Sequence, residues 1–154
     1  MAVGSLAWFC HSDEGVPPSY DNLQVHMGLC ASPTLGTDFA ANYIPGTKVL
    51  VYQADSLILE VEPGEWVTLP LQVPFDYNGT ANLLVEILHE PGSGYEGFYA
   101  WNWDSGADRS VMAYSSNPDL PGSVQSSVPC MAFEPPASLQ TLTFGAIKSI
   151  LGGH

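Results

Sequence analysis

The stretch Trp66-Val67-Thr68-Leu69-Pro70-Leu71-Gln72-Val73-Pro74-Phe75-Asp76-Tyr77-Asn78-Gly79-Thr80-Ala81-Asn82-Leu83-Leu84-Val85-Glu86-Ile87 writes two strands and the corner between them in one line. Val67, Leu69 and Leu71 alternate with Thr68 and Gln72, and Leu83, Val85 and Ile87 alternate with Leu84 and Glu86. That period of two belongs to strands with one face in a core and one in water. The Asp-Tyr-Asn-Gly-Thr run between them is turn chemistry, with Asn78-Gly79 suited to positive φ. Asn78-Gly79-Thr80 also satisfies the N-glycosylation sequon, but a tight turn accounts for the same residues.

The same rhythm continues on both sides. Residues 3–11 read as a first strand, followed by a loop that carries Asp13 and Glu14. Leu23, Val25, Met27 and Leu29 face inward on the next strand, with Gln24 and His26 on its solvated side. Residues 48–53 and 56–61 read as two strands joined by a polar turn, and 110–115 and 128–134 as two more. Thirteen prolines and fifteen glycines punctuate the chain at strand-length intervals, the spacing of an all-β fold rather than of helices. The expected architecture is an antiparallel β-sandwich, jelly-roll or Ig-like, over residues 1–134. Pro135-Pro136 then serves as a stiff spacer before an apolar C-terminal tail, 135–154 in all.

Two motifs carry a resemblance to known proteins. Trp66, then Leu71-x-x-Pro74-Phe75 and Tyr77-x-Gly79-Thr80-x-Asn82-Leu83-Leu84-Val85-Glu86, resembles a β-sandwich module of large secreted and cell-surface bacterial proteins, and the likeness covers roughly residues 20–134. Thr143-Phe144-Gly145-Ala146-Ile147-Lys148-Ser149-Ile150-Leu151 is similar to the short tails that follow such modules, with Phe144 where their pattern has Trp. The resemblance implies an extracellular, non-enzymatic module.

Composition narrows the partners. Sixteen acidic residues stand against Lys48, Lys148 and Arg109, a formal charge of -13. A polyanionic nucleic acid or an anionic membrane surface would be repelled. Apolar runs fall short of the roughly 20 residues that span a bilayer. Residues 1–10 lack the basic segment of a signal peptide, so either the numbering starts at a mature end or export takes another route. Cys10, Cys30 and Cys130 lack metal-ligand spacing and are disulfide candidates, one bond and one free thiol, or else three buried small hydrophobes.

The most singular segment runs from Phe98 to Arg109. Tyr99, Trp101 and Trp103 alternate with Phe98, Ala100 and Asn102, which puts three large rings on one strand face. Exposed, they form a platform for stacking on sugar rings, with Asn102, Asp104 and Asp108 as polar rim groups; buried, they are core or subunit interface. Asp104 and Asp108 could also share a calcium ion, the one cofactor the sequence suggests, although Arg109 competes for either as a salt-bridge partner. No nucleophile–base pairing or phosphate loop is legible; Glu62 and Glu65 read as solvated turn residues, and His11 near Asp13 and His89 beside Glu90 as structural histidines. The chain therefore reads as non-enzymatic.

Two functions fit. The first is a self-assembling structural subunit of an extracellular or cell-surface filament or layer, in which Leu139, Leu142, Phe144, Ile147, Ile150 and Leu151 of the tail are buried on the chain itself or on the sheet edge of the next subunit. A docking strand and a short helix over 144–151 ended by Gly152-Gly153 are both compatible with the tail. The second is a carbohydrate-binding or adhesive module that uses the Tyr99, Trp101 and Trp103 face.

Overall fold

Alternating burial organises the described residues into eleven strands. The computed structural model describes residues 1–12, 17–91, 98–115, 117 and 119–137. The strands are β1 (Ala2–Ser12), β2 (Ser19–Cys30), β3 (Val49–Ile58), β4 (Trp66–Asp76), β5 (Asn82–Pro91), β6 (Tyr99–Ala100), β7 (Asn102–Asp104), β8 (Ser110–Met112), β9 (Ser123–Gln125), β10 (Ser127–Pro129) and β11 (Met131–Glu134), with one turn of 3-10 helix at Ala40–Asn42. One sheet has the order β11-β1-β4, with β6 also paired to β1; a second has the order β3-β2-β5; β10-β7 and β8-β9 are two-stranded ribbons. Every pairing is antiparallel. The two larger sheets meet in one core, to which Val3, Leu6, Leu69 and Phe75 come from the first and Val25, Met27 and Val51 from the second. This is the all-β, sandwich-like fold expected from the alternation. Among the described residues no helix is long and apolar enough to cross a membrane.

The decisive stretch behaves as a corner. β4 joins β1 while β5 joins β2, so the chain crosses from one sheet to the other at residues 77–81. Asn78 Oδ1 accepts from the Thr80 and Ala81 amides at 2.9 and 3.1 Å, and the Tyr77 hydroxyl donates to the Ala81 carbonyl at 2.7 Å. Gly79 sits at φ 77°, a backbone region that glycine enters without steric penalty.

Several expected boundaries move. The two strands foreseen over 48–61 are one continuous β3, because the polar residues between them stay in register with β2, with Ala54 opposite Leu23 and Ser56 opposite Asp21. Polarity there marks an exposed side, not a turn. The final strand is interrupted at Cys130, where the chain leaves β7 for β1 and the Cys130 amide donates to the Trp101 carbonyl at 2.6 Å. The strand expected over 110–115 ends at Met112. Of the two readings of the cysteines, the structure has no disulfide among Cys10, Cys30 and Cys130; the thiols of Cys10 and Cys30 point at the carbonyls of Ser12 and Ser32. Pro135 and Pro136 do not stand off as a spacer. They lie against β1, so close to Gly4 that a Cβ there would come within 2.2 Å of Pro136 Cα. Leu139, Leu142, Phe144, Ile147, Ile150 and Leu151 lie outside the described residues.

Candidate functional site

Alternation along the strand from Phe98 builds the site. Phe98 and Ala100 face an apolar cleft of about 300 Å³ at one end of the sandwich, shared with Trp8 and Leu69 of the first sheet and Tyr20 and Ile87 of the second. With Phe98 and Ala100 committed inward, Tyr99 and Trp101 must turn outward. Tyr99, Trp101 and Trp103 are 58%, 48% and 51% exposed.

Two neighbouring strands extend this face. The Trp101 amide donates to the Phe9 carbonyl at 2.9 Å, and Phe9 is the cross-strand partner of Trp66. Directly opposed residues on antiparallel strands share a sheet face. Phe9 and Trp66 pack with ring centroids 5.2 Å apart, and His11 meets the Trp101 ring edge-on at 4.6 Å. Trp66 is itself 48% exposed. The surface thus carries a row, Trp66–Phe9–Trp101, that crosses three strands and continues along the chain to Trp103. Phe9, His11 and Trp66 were not foreseen as members. Their outward direction follows from the inward Leu6, Val67 and Leu69, but their alignment with Trp101 depends on a cross-strand register that no local pattern states.

The expected rim groups divide. Asn102 lies on the reverse of the strand from the rings, its amide donating to the Ala100 carbonyl at 3.1 Å, so it does not frame them. Asp104 Oδ1 accepts from the Gly106 amide at 2.9 Å. That backbone bond, helped by Ser126 and only weakly opposed by desolvation, holds the exposed carboxyl below its ordinary range. No side-chain bond joins Asp104 to Asp108, and no group of three or more His, Cys, Asp or Glu converges among the described residues. Nor does Arg109 pair with either aspartate as expected: among the described residues the ion pair is Lys48 with Glu86. The Arg109 amide is occupied with the Gln125 carbonyl in the loop before β8. His89 stacks edge-on against Tyr20 at 4.8 Å, and its Nδ1 is 3.4 Å from the backbone carbonyl of Glu90 rather than its carboxylate.

A second polar group lies on the outer face of the second sheet. Lys48 Nζ donates to Glu86 Oε1 at 2.6 Å, and Glu86 is only 8% exposed. His26, opposite Glu86 in the β2–β5 register, was expected to be solvated; instead its Nδ1 is enclosed and has no hydrogen-bond partner among the described residues. Burial first, then the Lys48 charge, lowers its pKa, and Glu86 offsets part of the effect. The Tyr43 ring covers this corner by packing on Gly28, with the Lys48 ammonium 5.0 Å from its centroid. The Tyr43 hydroxyl is buried outside hydrogen-bond geometry, and burial together with the nearby Glu86 carboxylate raises its pKa. This cluster ties the loop before β3 to the sheet. It reads as structural.

Set beside known proteins, the chain matches no family model, no curated protein and no solved structure.

Proposed function

We propose that this protein is a non-enzymatic extracellular module that holds a carbohydrate chain against the aromatic face of its sandwich. The observation that carries the reading is the half-exposure of Tyr99, Trp101 and Trp103 on a strand whose other face is packed against the cleft. Rings fixed by a sheet present flat apolar surface with little side-chain entropy left to lose, the property that lets aromatic anchors dominate binding surfaces. Pull-down and affinity electrophoresis on a panel of polysaccharides test it. Trp101→Ala and Trp103→Ala should each weaken binding about tenfold, equivalent to about 1.4 kcal/mol. Binding unchanged in both variants would refute the platform.

A second reading, the self-assembling subunit of a surface filament or layer, is favoured by one feature. β5 is the last strand of its sheet, and its outer edge pairs with no other strand among the described residues. An unpaired edge and an apolar tail are the two parts that β-augmentation needs. Light scattering of the full chain decides it: polymers that disappear on deletion of residues 139–154 support assembly, and monomers at all concentrations exclude it.

A further inference from the structure

We infer that the ligand of the aromatic face is an uncharged polysaccharide lying across the strands, from Trp66 over Phe9 and Trp101 to Trp103. The inference rests on the platform reading and adds its direction, its length and its charge.

Direction and length come from register. Trp66 and Phe9 lie opposite one another on adjacent strands β4 and β1, and Trp101, between β6 and β7, is tied to the other side of β1 by its amide bond to the Phe9 carbonyl. Neighbouring strands are spaced by about 4.8 Å, so the row from Trp66 to Trp101 covers about 10 Å across the strands, and Trp103 lies farther along the chain at its Trp101 end. That is longer than one sugar ring. The outermost members, Trp66 and Trp103, are both about half exposed, which suits a chain that touches both ends rather than a single residue held at the centre.

Charge sets the ligand class. The chain carries -13; of its described side-chain cations Lys48 is bound to Glu86 on the outer face of the other sheet, and exposed Arg109 follows the Asp104–Asp108 loop beyond Trp103. Exposed Glu65 immediately precedes Trp66 at the start of β4, and exposed Asp104 immediately follows Trp103 in β7, on the alternate side of the strand from that ring. Between these acids the row contains no lysine or arginine, and His11 is its one basic side chain. Uronate or sulfate groups would meet repulsion from the net negative charge, with no lysine or arginine in the row itself to offset it. An uncharged chain lays only CH faces and hydroxyls on the rings.

The test uses the full chain, with a neutral β-glucan and its oligomers, and polygalacturonate as the anionic counterpart, each at low and at physiological salt. The neutral polymer should bind with little salt dependence, while polygalacturonate should bind at least tenfold more weakly at low salt, where screening is least. Trp66→Ala should weaken binding of long glucans about tenfold and leave a disaccharide unaffected; Trp66→Phe should restore most of the loss. If polygalacturonate binds as tightly as glucan and Trp101→Ala abolishes both, the charge assignment falls and the platform stands. If Trp101→Ala weakens glucan binding while Trp66→Ala does not, the cross-strand direction falls. If no polymer binds, or binding is unchanged in both Trp101→Ala and Trp103→Ala, the platform and this inference fail together. Self-association that Trp66→Ala abolishes, without glycan binding, would assign the face to a second copy of the chain and overturn the proposal.

Discussion

Lys48 donates to Glu86 at 2.6 Å on the outer face of the second sheet, and the carboxylate it serves is nearly closed off from water. Lys48 is the partly exposed member, so its removal leaves a buried anion unpaired rather than two solvated charges. Lys48→Met is expected to lower stability by about 1–3 kcal/mol, below the full penalty for a deeply buried pair because the ammonium side is wet. The double variant Lys48→Met/Glu86→Leu should recover much of that loss. Urea midpoints of the three proteins check it, and equal stability of Lys48→Met and wild type would show that Glu86 is solvated after all.

His26 makes the same corner sensitive to acid. Its native pKa is lowered from 6.5, chiefly by burial and next by Lys48, so the unfolded chain takes up a proton more readily than the folded one. Stability from this residue is therefore complete above about pH 6.5 and lost progressively as pH falls from there toward the depressed native value. Besides Lys48 and Glu86, the Tyr43 phenol lies in this cluster, and it stays protonated throughout that window. His26→Asn should flatten the slope of stability between about pH 5 and pH 7. An unchanged slope in that variant would move the acid response elsewhere.

What the sequence disclosed, and what it withheld, divides by range. Leu23, Val25 and Met27 on β2, and Val67 and Leu69 on β4, are buried as their alternation requires, because a strand's two faces are a local property. The corner at Asn78-Gly79 was legible for the same reason. His26 was misread because a polar residue on an outward face is solvated only if nothing else covers that face, and here Tyr43 arrives from 17 residues downstream. The aromatic site was half legible: Tyr99, Trp101 and Trp103 show their period in one strand, whereas Trp66 and Phe9 join them through a register fixed by three separate strands. β3 was cut in two because polar residues on an exposed side of a strand resemble a turn when the partner strand is unseen.

Gly28 is the point where the loop before β3 is seated. A Cβ there would stand 2.5 and 2.6 Å from Cδ1 and Cε1 of the buried Tyr43, so that the ring or the strand would have to shift. Gly28→Ala should therefore cost about 1–3 kcal/mol, as overpacking does. Paired with Tyr43→Ala the penalty should largely vanish, a non-additivity that a double-mutant cycle of thermal unfolding measures directly. Additive losses would mean that the methyl is accommodated by the strand instead.

Gln72 joins the two sheets at an edge where no strand pairing does so. Its side-chain oxygen accepts from the Gln53 amide at 3.1 Å and its nitrogen donates to the Gln53 carbonyl at 2.9 Å, so one amide group imitates the two bonds that a paired strand residue would make. β3 and β4 are the terminal strands of their respective sheets, and the bridge satisfies main-chain groups that an open edge would leave to water. Because the site is exposed, Gln72→Ala should cost only about 1 kcal/mol globally, yet the Gln53 amide should lose its protection locally. Gln72→Glu keeps an acceptor for that amide but removes the donor and sets a carboxylate against the Gln53 carbonyl, so it should destabilise more than alanine does. Hydrogen exchange resolved at Gln53 checks it: faster exchange in Gln72→Ala identifies the amide as the clasp of this edge, and protection retained in that variant would show that the strands hold together without it.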